Sequence, residues 1–204
     1  MGCPKILIEM KHGLGDCVCM LPAVAAIRKK YPDAYVAMIV NGKANKDIFE
    51  HSGIHIDTYY YFSLKNRSKW HTIKTLFKLR LESFNYGVMA IMTPKEKGVL
   101  LFRMLGISHC LGEQYEGLNF LNLDNELHFV KRNLRMIRSL CHVIESDQPR
   151  LFANEAEGKR FESLIHSGRK KIAVNIGGAD KNYYKGQYVY TRPWEHENMW
   201  RFIV

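Results

Sequence analysis

Residues 5–10, KILIEM, form an apolar run of strand length that passes directly into the loop KHGLGD at 11–16. Beyond the loop, apolar residues return at helical spacing, at Val18, Leu21, Val24, Ala25 and Ile27. A second strand-length run, YVAMIV at 35–40, follows the turn Tyr31-Pro32-Asp33. This change of period within 36 residues constrains the fold more than any other feature of the chain. A strand, a glycine loop, a helix and a second strand form a unit whose helix is the crossover connection that parallel strands require. The same alternation continues. Spacing predicts a helix at 44–51, a strand at 55–62, a helix at 70–83 and a strand at 86–92. A helix then closes near Gly106, short strands follow within 107–123, and a long amphipathic helix covers 126–144. The expected fold class is α/β, a doubly wound parallel sheet.

A chain of 204 residues suits one such domain and a piece of another. The polar, proline-containing stretch ESDQPR at 145–150 reads as a domain edge, which places the first domain at 1–150. A helix at about 154–166 leads to KKIAVNIGG at 170–178, which repeats the opening pattern of basic residue, apolar strand and glycine pair. Residues 151–204 are therefore expected to be a linker helix and the incomplete beginning of a second α/β domain.

Thirty Lys and Arg against twenty Asp and Glu give a net charge of +10, which favours an anionic partner: nucleic acid, a phosphorylated small molecule or an acidic lipid surface. The cations fall in short groups, such as Arg28-Lys29-Lys30 and Arg169-Lys170-Lys171, and no nucleic-acid reading motif accompanies them. No apolar run reaches the roughly 18 residues that cross a bilayer, and residues 1–10 lack the charged start of a secretory signal. Met1-Gly2-Cys3 opens like a lipidated chain, but Ile6 stands where the myristoylation pattern needs Ser or Thr. Five cysteines form no even disulfide framework, so a reducing compartment fits. Cys17-x-Cys19 is too close for a zinc knuckle and there is no HExxH, so no metal site is expected.

Gly13-Leu14-Gly15-Asp16-Cys17-Val18 has the outline of a dinucleotide fingerprint but fails it twice. Val18 occupies the place of the third small residue, and Asp16 sits where amide groups and the helix dipole would draw in a phosphate that a carboxylate repels. Nicotinamide binding is excluded on those grounds. Asp16 then has two readings. It caps the helix, its oxygen accepting an otherwise unpaired N–H, or it is a general base at the carboxyl edge of the first strand, where doubly wound sheets bind their ligands. Spacing does not choose between them.

The stretch KILIEMKHGLGDCVCMLPAVAAIRKKYPDAYVAMIV resembles the start of the glycosyltransferase family 9 heptosyltransferases: strand, Gly-Asp loop, a Pro six residues on, an Ala-Ile-Arg-Lys helix, Tyr-Pro-Asp-Ala and a strand. FNYGVMAIM at 84–92, LLFRMLGISHCLG at 100–112, HFVKRNLRMI at 128–137, and IAVNIGGA with RPWEHENMW within 172–200 extend the resemblance through almost the whole chain.

The resemblance implies a two-domain GT-B fold with a Rossmann-like acceptor-binding N-terminal domain, followed here by the truncated start of the nucleotide-sugar domain. It implies inverting, metal-independent transfer of a heptose or similar sugar from a nucleotide donor of the ADP-heptose kind to a lipopolysaccharide core or related anionic glycolipid, with no cofactor. The protein would be cytoplasmic and in peripheral contact with the inner membrane through its positive face. Asp16 takes the place of the proposed catalytic base in that family. Gly13 and Gly15 would let the acceptor approach the backbone, and Lys65, Arg67 and Lys69 fall where the anionic acceptor would be contacted, with Tyr59–Tyr61 and Trp70 beside them. Gly177, Gly178 and Arg192 fall near the donor phosphate, although Gly177 replaces a usual proline and KNYYKGQYVYT at 181–191 is insertion-like. Ordinary packing or surface contact is the expected role of His128, Arg132 and Asn133. The rival reading is a non-catalytic module that keeps the basic crevice to hold an anionic glycan or phosphate.

Overall fold

A computed structural model describes residues 3–62, 69–91, 93, 95–112, 127–142 and 146–164 and the strand pairs 183–184 and 187–188. The chain divides into two compact units, Met1–Asn154 and Glu155–Val204. In the first, strands β1 (Lys5–Met10), β2 (Tyr35–Val40), β3 (Thr58–Tyr61), β4 (Tyr86–Met89) and β5 (His109–Leu111) form one sheet in the order β3-β2-β1-β4-β5. Every pairing in it is parallel. Chain order reverses between β1 and β4, so the carboxyl ends of these two strands bound the crevice of a doubly wound sheet.

The alternation in β1 divides two cores. Ile6, Ile8 and Met10 pack with Met20, Leu21, Val24 and Ile27 of helix α1 (Leu14–Lys30) and with Val130 and Leu134 of α5 (Phe129–Met136). Leu7 faces the other way, into a core that includes Leu79 of α3 (Lys69–Leu81) and Val99, Leu101 and Phe102 of α4 (Lys95–Met104). Helix α2 (Lys43–Glu50) contributes Phe49 to the first core. β1 and β2 each leave only their first residue incompletely buried, as expected of parallel strands covered on both faces.

Several boundaries differ from the sequence reading. α1 begins at Leu14, inside the glycine loop, and runs through Pro22. The long helix expected at 126–144 is much shorter: α5 stops at Met136, a 3-10 turn covers Ile137–Ser139, and Tyr31, which caps the end of α1, donates its hydroxyl to the Leu140 carbonyl at 3.3 Å. A tertiary contact thus ends a periodicity that the sequence leaves open. At Gly106, just past α4, φ is +74°, a left-handed conformation that favours glycine. In the second unit, α6 (Glu155–Leu164) and the antiparallel pair β6 (Tyr183–Tyr184) and β7 (Gln187–Tyr188) are described, and the strand expected at 170–178 lies outside the described residues.

Arg28 joins the end of α1 to the entrance of β3. Its guanidinium donates to the His55 carbonyl (2.9 and 3.1 Å), the Ala34 carbonyl (2.6 Å) and Asp57 Oδ2 (2.7 Å), and Asp57 also accepts from the Val36 N–H. Desolvation raises the Asp57 carboxyl, but the Val36 and Arg28 hydrogen bonds outweigh it and hold the group below its ordinary value. A lysine carries the charge without the fork. Arg28→Lys is expected to cost about 1.5–3 kcal/mol, read as a shift in urea midpoint at unchanged slope.

Candidate functional site at the carboxyl edge of β1

The loop between β1 and α1 is held by side chains from neighbouring elements. Asn41, after β2, donates to the Lys11 carbonyl at 2.6 Å, and Asn45 of α2 donates to the His12 carbonyl at 2.7 Å and lies 3.2 Å from Cys17 Sγ. Asn133 of α5 donates to the Cys19 carbonyl at 3.1 Å. Three amides thus fasten the loop and the first two turns of α1.

Gly13 is the N-cap of α1 in extended conformation, and Asp16 is the third helical residue. The Gly13 N–H donates to Asp16 Oδ2 at 3.1 Å, which is the carboxylate half of a capping box. Asp16 therefore fastens its own loop, although from inside the helix and not from the cap position. It is half-buried and opens on a cleft of about 10 Å³, room for a single water, that Met10, Cys19, Ala90, Phe129 and Asn133 also line. The Asp16 charge and desolvation together push the Cys17 and Cys19 thiols up, desolvation being the larger cause. Both cysteines are held away from the thiolate form that would make a nucleophile.

A second constellation lies on the opposite face of β1. Glu9 is 1% exposed and points to the same side of the sheet as Leu7. The Thr93 hydroxyl donates to Glu9 Oε2. His12 Nε2 lies 2.7 Å from that hydroxyl oxygen and 3.8 Å from the carboxylate, and Lys11 Nζ stands 3.6 Å from Oε1. Because the single Thr93 proton goes to Glu9, its oxygen accepts from the His12 Nε2–H, and neutral His12 then carries its lone pair on Nδ1. Burial raises the Glu9 carboxyl, but His12, Lys11 and Thr93 prevail and hold it below its ordinary value. The buried group is a carboxylate, balanced by two basic residues of the loop.

Sequence reasoning passed over this cluster. The available signal was an acid within an otherwise apolar strand, with Lys11 and His12 two and three residues on, but Thr93 is 84 residues away and only the fold supplies it. Gly13 and Gly15 lie exposed beside Asp16, and a Cβ at Gly15 would meet nothing within 4 Å. Lys65, Arg67, Gly177, Gly178 and Arg192 lie outside the described residues, as does the side chain of Lys69. Tyr59 and Tyr61 are half-buried strand residues packed on the first core, and the Tyr60 hydroxyl reaches Glu82. His128 caps α5 by accepting from the Val130 N–H at 3.3 Å, and Arg132 stacks on the Phe129 ring. Away from Asp16, a larger hollow of about 440 Å³ follows the outer side of α1 past Pro22 and Ala26 to Lys30, closed by Ile54 and Phe152. Among the described residues no group of three His, Cys, Asp or Glu could hold a metal ion, and no helix is long and apolar enough to cross a membrane.

The fold and this crevice define the class: a doubly wound parallel α/β domain whose ligand edge carries a carboxylate on a glycine loop. No family model and no curated protein sequence matches the chain. Solved structures do. The glycosyltransferase of family 9 from Veillonella parvula superposes with a TM-score of 0.60 at 14% identity, over 82% of this chain and 52% of that one. The Escherichia coli ADP-heptose lipopolysaccharide heptosyltransferase II gives 0.58 at 18%, over 81% and 52%. Escherichia coli heptosyltransferase WaaC with ADP-2-deoxy-2-fluoro heptose gives 0.57 at 14%, over 87% and 60%. The chain thus has the α/β fold of the N-terminal part of these GT-B enzymes and spans about half the length of the first two.

Proposed function

We propose that this chain is the acceptor-binding half of an inverting, metal-independent glycosyltransferase of the heptosyltransferase kind, with Asp16 as its general base. The observation that carries the reading is the position of Asp16: half-buried, beyond the carboxyl end of β1 where strand order reverses, in the first turn of α1 beside a loop that Asn41 and Asn45 hold in place. Oδ2 is occupied by the Gly13 N–H, which leaves Oδ1 to take the proton of an acceptor hydroxyl while the donor's anomeric carbon develops oxocarbenium character. The donor is a nucleotide-sugar, and a neighbour of the same fold described with an ADP-fluoroheptose supports ADP-heptose or a close analogue. The acceptor is an anionic glycan such as a lipopolysaccharide core, in keeping with the charge of +10, and Lys65, Arg67 and Lys69 are proposed to meet it, as Gly177, Gly178 and Arg192 are proposed to meet donor phosphate.

One observation favours the rival, a binding module without turnover: the Asp16 carboxylate already has a structural task in the Gly13 contact. The two readings separate on one experiment. A polypeptide joining this chain to a nucleotide-sugar-binding domain is incubated with ADP-heptose and a deacylated lipopolysaccharide core, and product is followed by mass spectrometry and anomeric coupling. Product with inverted configuration supports transfer. Saturable, salt-sensitive acceptor binding without product supports the module.

A further inference from the structure

Helix α3 is apolar on more sides than its place in the fold requires. Thr72, Thr75 and Leu79 are buried toward the sheet, and Leu76 packs on the second core. Yet Trp70, Ile73, Phe77 and Leu81 form a stripe on the outward side, with Trp70 81% and Leu81 67% exposed. A helix bathed in water on that side carries polar residues there. The stripe continues onto α4, where Leu100 and Met104 are also exposed, and Arg80 joins the two helices by donating to the Met104 carbonyl at 2.6 Å. Large apolar side chains exposed in such number on two neighbouring helices mark a docking site.

Charge selects what docks. Lys74, Lys78 and Arg80 are exposed on α3, which has no acidic residue, and Lys97 and Arg103 are exposed on α4 against Glu96. Large apolar side chains flanked by cations are the composition of a helix that lies in a bilayer interface, rings and aliphatic chains among the acyl groups and ammonium groups among anionic headgroups. A second copy docked about a two-fold axis would bring two basic faces together, with no acidic residue on α3 to answer Lys74 and Lys78. Nucleic acid would find Ile73, Leu81 and Leu100 where stacking platforms or base-edge donors are needed.

We infer that the outward face of α3 and α4 is a membrane-docking surface for a bilayer rich in anionic phospholipid. This deepens the membrane contact expected of the proposed glycolipid-modifying function, but it is measured without donor or acceptor, so its failure leaves the sugar-transfer reading standing. The chain is sedimented with phosphatidylcholine vesicles with and without phosphatidylglycerol, at low and high salt. Binding is expected only with phosphatidylglycerol, and weakened by salt. Each cation contributes about five-fold, so Lys74→Gln with Lys78→Gln lowers the partition coefficient on the order of twenty-fold. Trp70→Ser with Phe77→Ser is expected to lower it at least as much. Both pairs lie at exposed positions, so circular dichroism should give unchanged thermal midpoints. The proposal is overturned by absence of binding to the anionic vesicles, by equal binding to both kinds, or by binding that survives both double variants. It is also overturned if the chain alone sediments as a dimer that Phe77→Ser abolishes, which would make the surface an interface between copies.

Discussion

Asp16→Asn is expected to lower kcat for sugar transfer by about a hundred- to ten-thousand-fold, the range associated with loss of a positioned general base, while acceptor affinity changes little. The asparagine keeps the shape of the side chain and an oxygen that can accept from the Gly13 N–H, so the cap survives in weakened form. What disappears is the charge that, in the proposed mechanism, takes the hydroxyl proton, and that favours the positive end of α1. The second loss costs about 0.5–1 kcal/mol of stability, since the residue lies in the first turn of the helix. Rate and stability therefore respond on different scales, and both are measurable on one preparation. If kcat were to hold while the melting midpoint fell by a few degrees, Asp16 would be only the fastener of its loop and the base would have to be sought elsewhere, with His12 Nδ1 the next group to test.

The largest effect on stability is expected at Glu9. Glu9→Gln retains the side-chain volume but leaves Lys11 and His12 facing an uncharged group at a position that is 1% exposed. Removing one partner of a buried ion pair costs about 3–5 kcal/mol, and Lys11, 24% exposed, can turn its ammonium toward water, which places the loss near 3 kcal/mol. For a unit of this size that is a fall of about 6–12 °C in melting midpoint. The pH dependence gives an independent check. The folded-state pKa of Glu9 lies below its unfolded value of about 4.5, so the unfolded chain binds more protons there in acid. The stabilisation is complete above that value and is lost as pH falls through the lower folded-state value. Wild type should lose stability more steeply than Glu9→Gln on acidification below about pH 4.5. Parallel curves for the two proteins would show that the fold leaves the Glu9 carboxyl at its unfolded value.

Buried parallel strands are nearly uniform apolar runs, and β1 and β2 fall at 5–10 and 35–40 as their composition requires. α1 starts three residues earlier than its apolar spacing suggests, because the Gly13–Asp16 hydrogen bond closes the first turn within the loop. α5 ends near Met136 although the sequence pattern runs on, because the chain turns to meet Tyr31 at Leu140. Trp70, expected beside the cations that would contact the acceptor, stands at the head of an exposed stripe on α3. The start of α1 is thus decided by a contact three residues long, and the end of α5 by a partner 109 residues away.

The order of strands and helices, the parallel sheet and the glycine loop with its carboxylate follow from local periodicity and from which residues tolerate a sharp turn, and these are properties of short segments. The reversal of strand order at β1, the burial of Glu9 against Thr93 and the three amides on the loop and on α1 bring together residues dozens of positions apart. No window of sequence contains such pairs. Their energies come from desolvation and hydrogen-bond geometry, which exist only once the chain has closed on itself.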